Sequence, residues 1–212
     1  MAPKILVTGF APFGGASLNP SWQAARRLEG WICAGHVVAA REIPCVFGAA
    51  LAAFEAAIAE LKPKAAICVG QAGGRADLSV ERIAVNLDDA DAPDNEGQRP
   101  VDAPVIEAAP VAYLASLPVK AIVAALRNKG LPASLSNSAG SFVCNHLFYG
   151  ACHLRARRFK AMKVGFIHVP YAPEQGAGHP GAPTMAVETI VEGLRIVVET
   201  TIGSGQIGPT AR

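Results

Sequence analysis

The 212-residue chain is short of several things, and each shortage closes off a class of protein. Charged residues make up only 17% of it and aromatics 6%, against a hydrophobic fraction of 51%. A chain this poor in charge and rich in apolar side chains packs a core instead of staying disordered. It has no uncharged apolar run long enough to span a bilayer. The opening MAPKILVTGF lacks the apolar core and small-residue cleavage site of a secretory signal. Net charge is only +2, and Lys and Arg gather only in RARRFK at 155–160, which reads as a solvated helix end. Neither a nucleic-acid nor a membrane partner is expected. The five cysteines (Cys33, Cys45, Cys68, Cys144 and Cys152) are an odd number without disulfide-scaffold spacing. With no export signal, the expectation is a cytoplasmic protein with reduced thiols, which leaves a thiol free to react.

What is present alternates. KILVTGF at 4–10 and AAICVG at 65–70 read as buried strands ended by Gly-rich loops. HVVAAREI at 36–43 reads as another strand, KVGFIHVP at 163–170 as another, and PASLSN as a short one. ERIAVNL at 81–87 alternates apolar and polar as a single strand should. Helices are predicted for SWQAARRL with Ser21 as N-cap, for the run carrying Leu51, Phe54, Ile58 and Leu61, for 119–129 and for 142–155. A last one covers PTMAVETIVEGLRIVVETT, with Met185, Ile190, Val191, Leu194 and Val198 inward. Residues 92–118 form a long Pro- and Asp-rich excursion. The expectation is one α/β domain over 1–212, a mostly parallel twisted sheet with helices on both faces. In such sheets ligands bind beyond the carboxyl ends of the strands, so TGFAPFGG, GQAGGR, SNSAG and HVP should meet in one pocket.

NSAGSFVCNH at 137–146 crowds reactive side chains together. Ser141 reads as the cap of the next helix, which sets Cys144 in the first turn, where free N–H groups and the helix dipole favour thiolate. The alternative for Cys144 is a small core residue. His146 is turned to about the opposite side of that helix, and His153 lies roughly 13 Å along it. The same phasing stops Cys144, His146, Cys152 and His153 from converging on a metal, so no metal or other cofactor is expected. His168, near the end of a buried strand, is the histidine that topology brings toward Cys144; it reads as a general base or as a hydrogen-bonded core residue. Glu81 shares parity with Ile83, Val85 and Leu87 and could orient the imidazole; Asp88, Asp89, Asp94 and Glu96 remain competitors. Ser138 and Ser141 read as turn and cap. TGFAPFGG matches no phosphate-binding loop, and Phe10 and Phe13 suit a flat apolar ligand or the core.

Taken in order, GFAPFGGASLNPSW, ICVGQAGGR, ERIAVN, PDNEG, SAGSFVCNHLFYG and GFIHVPYAPEQ resemble the pyroglutamyl peptidase I (pyrrolidone-carboxylate peptidase) family of cysteine peptidases over nearly the whole chain. The resemblance implies an α/β fold, a homotetramer, and removal of N-terminal pyroglutamate from peptides. It implies Cys144 as nucleophile, His168 as base and then acid, and Glu81 as the orienting carboxylate. It also implies a lactam site built from Phe10, Phe13, Asn19, Gln71, Phe142 and Val143. One stretch departs: the family reads Ala-Arg-Ile-Pro-Asp-Asn-Glu-Gly where this chain has ADAPDNEG, so Asp91 stands where an arginine would help polarise the scissile carbonyl. Arg75 and Arg82 are the arginines that could take over. The other readings are a different Cys-His amidase or acyltransferase, and a non-catalytic pyroglutamate-binding relative.

Overall fold

A computed structural model describes residues 2–203. Strands β1 (Lys4–Phe10), β3 (His36–Ile43), β4 (Ala65–Gln71) and β9 (Lys163–Val169) form a parallel core, with β1 between β3 and β4, and β9 beyond β4. The two-residue β2 (Ile32–Cys33) joins the β3 edge antiparallel. On the other side β5 (Leu78–Glu81) runs antiparallel to β9, and β8 (Ala133–Ser136) runs parallel to β5. The sheet order is therefore β2-β3-β1-β4-β9-β5-β8.

Alternation along the strands sends side chains to two cores. Ile5, Val7, Ile67, Val69, Leu78, Val80, Ile167 and Val169 are buried with α1 (Pro20–Ala25), α3 (Val119–Asn128) and α5 (Val187–Gly203). Leu6, Phe10, Cys68, Val164 and Phe166 are buried on the opposite face with α2 (Ala49–Leu61) and α4 (Val143–Arg157). The predicted sheet, its two helical layers and the inward residues of α5 are all present, Met185 included although it precedes that helix.

Three local expectations are corrected. The 81–87 strand is two: β5 ends at Glu81, and β6 (Ile83–Val85) pairs with β7 (Ala112–Leu114) in a separate two-stranded sheet. Arg82 is where the chain leaves the main sheet, its N–H going to the Ser136 carbonyl. The cap of α1 is Asn19, whose Oδ1 accepts from the Ser21 N–H and hydroxyl at 3.1 and 2.8 Å. The α4 cap position is Phe142, with no side-chain cap, and the Ser141 hydroxyl donates to the Asp89 carbonyl instead.

The long excursion is tied down by polar side chains, two of them, Asp94 and Asn145, buried. Asp94 accepts from the Phe47, Glu96 and Gln98 amides, and Asn95 donates to the Pro12 carbonyl. PDNEG thus fastens the loop after β3 to the loop after β1. Asn145, fully buried on α4, bonds Val85 and Leu87 backbone groups and anchors the other end.

Candidate active site

The loops after β1 and β4 and the start of α4 do meet. They enclose a cavity of about 240 Å³ lined by Phe10, Phe13, Asn19, Cys45, Gln71, Ala72, Arg75, Ala139, Gly140, Phe142, Cys144 and His168. SNSAG arrives by a route the parallel-sheet rule does not describe. Because β8 runs against the core strands, its last residue, Ser136, pairs with Glu81, which pairs with Phe166 at mid-height of β9. The chain then turns through Gly140, whose φ of +77° suits glycine, directly into α4.

Cys144 is the second residue of α4 and keeps part of its surface on the cavity. The first-turn amides of a helix have no intrahelical acceptor, so donors cluster beside the sulfur. Gly70 makes room for it: a Cβ there would lie 2.8 Å from Cys144 Sγ and 2.8 Å from the Phe166 ring. Gly70 pairs across the sheet with His168, so cysteine and histidine flank the same point of β4. Burial pushes the Cys144 thiol well above its ordinary value, and the Cys45 and Glu81 charges add to this while Arg75 opposes it. A preformed thiolate was the expectation. In this packed setting burial works against the charge that the helix start favours.

Parity on β9 and β5 puts Phe166, His168, Ser79 and Glu81 on the α4 side of the sheet. Ser79 stands opposite His168, so Glu81 is its diagonal neighbour, within reach of a long side chain. Glu81 Oε1 lies 2.8 Å from His168 Nδ1. Glu81 is fully buried, but at the end of β5 and not, as its spacing suggested, on the face of Ile83 and Val85. The same Oε1 accepts from Arg75 Nη1 at 2.6 Å, and Arg75 Nη2 donates to the Ser138 carbonyl at 3.0 Å. Among the described residues Oε2 has no partner; the nearby Ser136 hydroxyl donates to the Ser138 carbonyl, and rotating it would serve Oε2. Burial alone would raise the Glu81 pKa; His168, Ser136 and Arg75 outweigh it and hold the carboxyl below its ordinary value. Burial lowers the His168 pKa, against the pull of Glu81. An ionised Glu81 accepts the hydrogen bond from Nδ1–H of a neutral imidazole. Nε2 then faces the cavity as a free base, with no hydrogen bond among the described residues.

Of the other predicted residues, Phe10, Phe13, Asn19, Gln71 and Phe142 line the cavity. Asn19 is mainly structural: besides capping α1 it donates to the Ala11 carbonyl at 3.1 Å, which leaves one amide hydrogen free. The Gln71 side chain turns to Gln175, its Oε1 accepting from Gln175 Nε2 at 2.9 Å. Val143 is fully buried and does not line the cavity. Its side chain serves the core, and only its backbone belongs to the helix start. Asp91 is exposed and lines a neighbouring groove. Arg82 lies on another surface, beside Leu114 and Pro118. Asp88 is taken by His146, and Asp94 by backbone amides. Sequence reasoning missed Arg75 as the partner of Glu81, and Cys45 as a cavity wall; an arginine in a Gly-rich loop at a strand end was the available signal for the first. Among the described residues no group of three or more His, Cys, Asp or Glu could hold a metal ion, and no helix is long and apolar enough to cross a membrane.

The family model for pyroglutamyl peptidase matches residues 3–204. The chain is 50% identical to a pyrrolidone-carboxylate peptidase of Klebsiella pneumoniae, over 93% of this chain and 92% of that protein. It is 52% identical to one from Chromobacterium violaceum, over 95% and 94%. The crystal structure of pyroglutamyl peptidase I from Bacillus amyloliquefaciens superposes with a TM-score of 0.92 at 43% identity, covering 94% of this chain and 96% of that one. A mutant pyrrolidone carboxyl peptidase from Pyrococcus furiosus gives 0.92 at 42% identity, over 95% and 99%.

Proposed function

The chain belongs to the pyroglutamyl peptidase family, and from that premise we propose how its own residues carry out the reaction. It is a cysteine-type omega peptidase that releases pyroglutamate from the N-terminus of peptides. The observation that carries the assignment of roles is the His168–Glu81 pair, whose free imidazole nitrogen opens on the cavity shared with Cys144.

Pyroglutamate is a flat, uncharged lactam, so aromatic walls and a few hydrogen bonds can hold it without a counter-charge. Phe10, Phe13 and Phe142 supply the walls, and the spare Asn19 amide hydrogen with the Gln71 backbone supplies polar contacts. A charged, uncyclised N-terminus would lose its hydration there with nothing in return. Cys144 attacks the carbonyl that joins pyroglutamate to the next residue, passing its proton to His168 Nε2 as the sulfur–carbon bond forms. The imidazolium is stabilised by Glu81, itself kept ionised by Arg75. Free amides at the start of α4 stabilise the oxyanion. His168 then protonates the departing amine. In the second half it activates water to cleave the thioester and release pyroglutamate.

We extend the proposal to a cytoplasmic homotetramer. The exposed Val111 and Leu114 on the β6–β7 arm support burial between copies; light scattering should read the molar mass of a tetramer in solution, and the mass of a single chain would contradict it. The peptidase assignment is tested with a chromogenic pyroglutamyl amide. The purified protein should hydrolyse it, lose activity to iodoacetamide with the label on Cys144, and be protected by pyroglutamate. Absence of hydrolysis, or labelling elsewhere, would refute it.

A further inference from the structure

The catalytic cavity does not end at its own rim. A second groove of about 380 Å³ runs on from it and shares three of its walls, Phe13, Gly140 and Phe142. The inner end of the cavity is closed by the buried Phe10, Asn19 and Cys45. The shared walls are half-buried or exposed, so they lie toward solvent. A substrate whose ring fills the closed end and whose carbonyl sits over Cys144 must send the rest of its chain outward. The contiguous groove is a path already formed for it.

The charge of that groove has one sign. Its far wall carries Asp89 and Asp91, both exposed, and among the described residues no Lys, Arg or His lines it. Asp89 accepts from the Asp102 amide at 3.4 Å, and no ion pair forms at either carboxylate among the described residues. The nearby Arg99 is directed through Nε to the Ala90 carbonyl instead. Arg75, the cation on the cavity side, is engaged by Glu81.

We propose that the groove lined by Asp91 is the leaving-peptide subsite, and that its carboxylates favour substrates with a basic side chain just after pyroglutamate. The inference rests on the peptidase reading above and adds the substrate class. Solvent-exposed charge pairs are weak, so the expected selectivity is about two- to five-fold per charge. It should fade as salt screens it.

The test is kcat/KM on three amidated dipeptides, pyroglutamyl-Lys, pyroglutamyl-Ala and pyroglutamyl-Glu, for the native protein, Asp91→Asn and Asp91→Arg at low and high salt. The expected order is Lys above Ala above Glu, flattened by Asp91→Asn and by high salt, and reversed by Asp91→Arg. Hydrolysis of all three at equal rates, or a preference that ignores Asp91 and salt, would overturn this inference and leave the peptidase reading standing. No hydrolysis of any of the three would overturn both.

Discussion

Two buried histidines in this molecule each face a buried carboxylate through Nδ1, His168 to Glu81 at 2.8 Å and His146 to Asp88 at 2.7 Å. They sit on the same side of the sheet, and both touch aromatic rings: His168 lies 4.8 Å from Phe166 and His146 5.5 Å from Phe47, between ring centres. They differ at the other nitrogen. His146 Nε2 accepts the Gly48 N–H at 3.0 Å, which completes its hydrogen bonding and fastens α4 to the start of α2. His168 Nε2 is left to the cavity. One pair is a strut and the other a base, and the distinction lies in what the far nitrogen meets.

Five substitutions press on that difference, in falling order of effect. Cys144→Ser should keep the fold, by circular dichroism, and lower turnover on the order of 10⁴-fold or more, because it removes the nucleophile that His168 serves. His168→Ala should cost about 10²–10⁴-fold, and adding it to Cys144→Ser should cost little more, since residues acting as one unit lose non-additively. Glu81→Gln should cost less than loss of Cys144, by roughly two orders of magnitude. It also separates from Arg75→Ala by sign in the pH profile. Burial holds the His168 pKa below 6.5, so the acid limb of kcat/KM should lie below that pH, with activity lost as Nε2 takes a proton. Glu81 raises that pKa and Arg75 lowers it, so Glu81→Gln should move the limb to still lower pH and Arg75→Ala should move it up. His146→Gln should leave the limb in place and cost about 1–3 kcal/mol of stability by denaturant titration, the penalty of disturbing a buried hydrogen-bonded group.

These residues also mark how far the sequence could be read. Strand and helix periodicity located β1, β3, β4, β9, α2, α3 and α4 to within a residue or two, because each lies under a continuous apolar face. Helical phasing separated His146 from Cys144, and topology brought His168 to it. Glu81 was reached by a parity that does not operate, since the chain changes sheets at Arg82 and pairs Glu81 with Phe166 through long-range antiparallel contacts. Such pairing leaves no local signal. The same holds for Asn19 and Phe142, which displaced Ser21 and Ser141 as caps because both serines found distant backbone partners, Phe10 N–H and the Asp89 carbonyl. Arg75 stayed hidden for a related reason: a loop arginine declares its role only when the carboxylate it meets is in place.

The contrast between the two histidines is tested most directly by hydrolysis of a chromogenic pyroglutamyl amide, measured per folded molecule in His168→Gln and His146→Gln side by side. The account predicts that His168→Gln loses at least about 10²-fold and that His146→Gln keeps the native kcat. A His168→Gln protein that turns over normally, or a folded His146→Gln protein that does not, would contradict it.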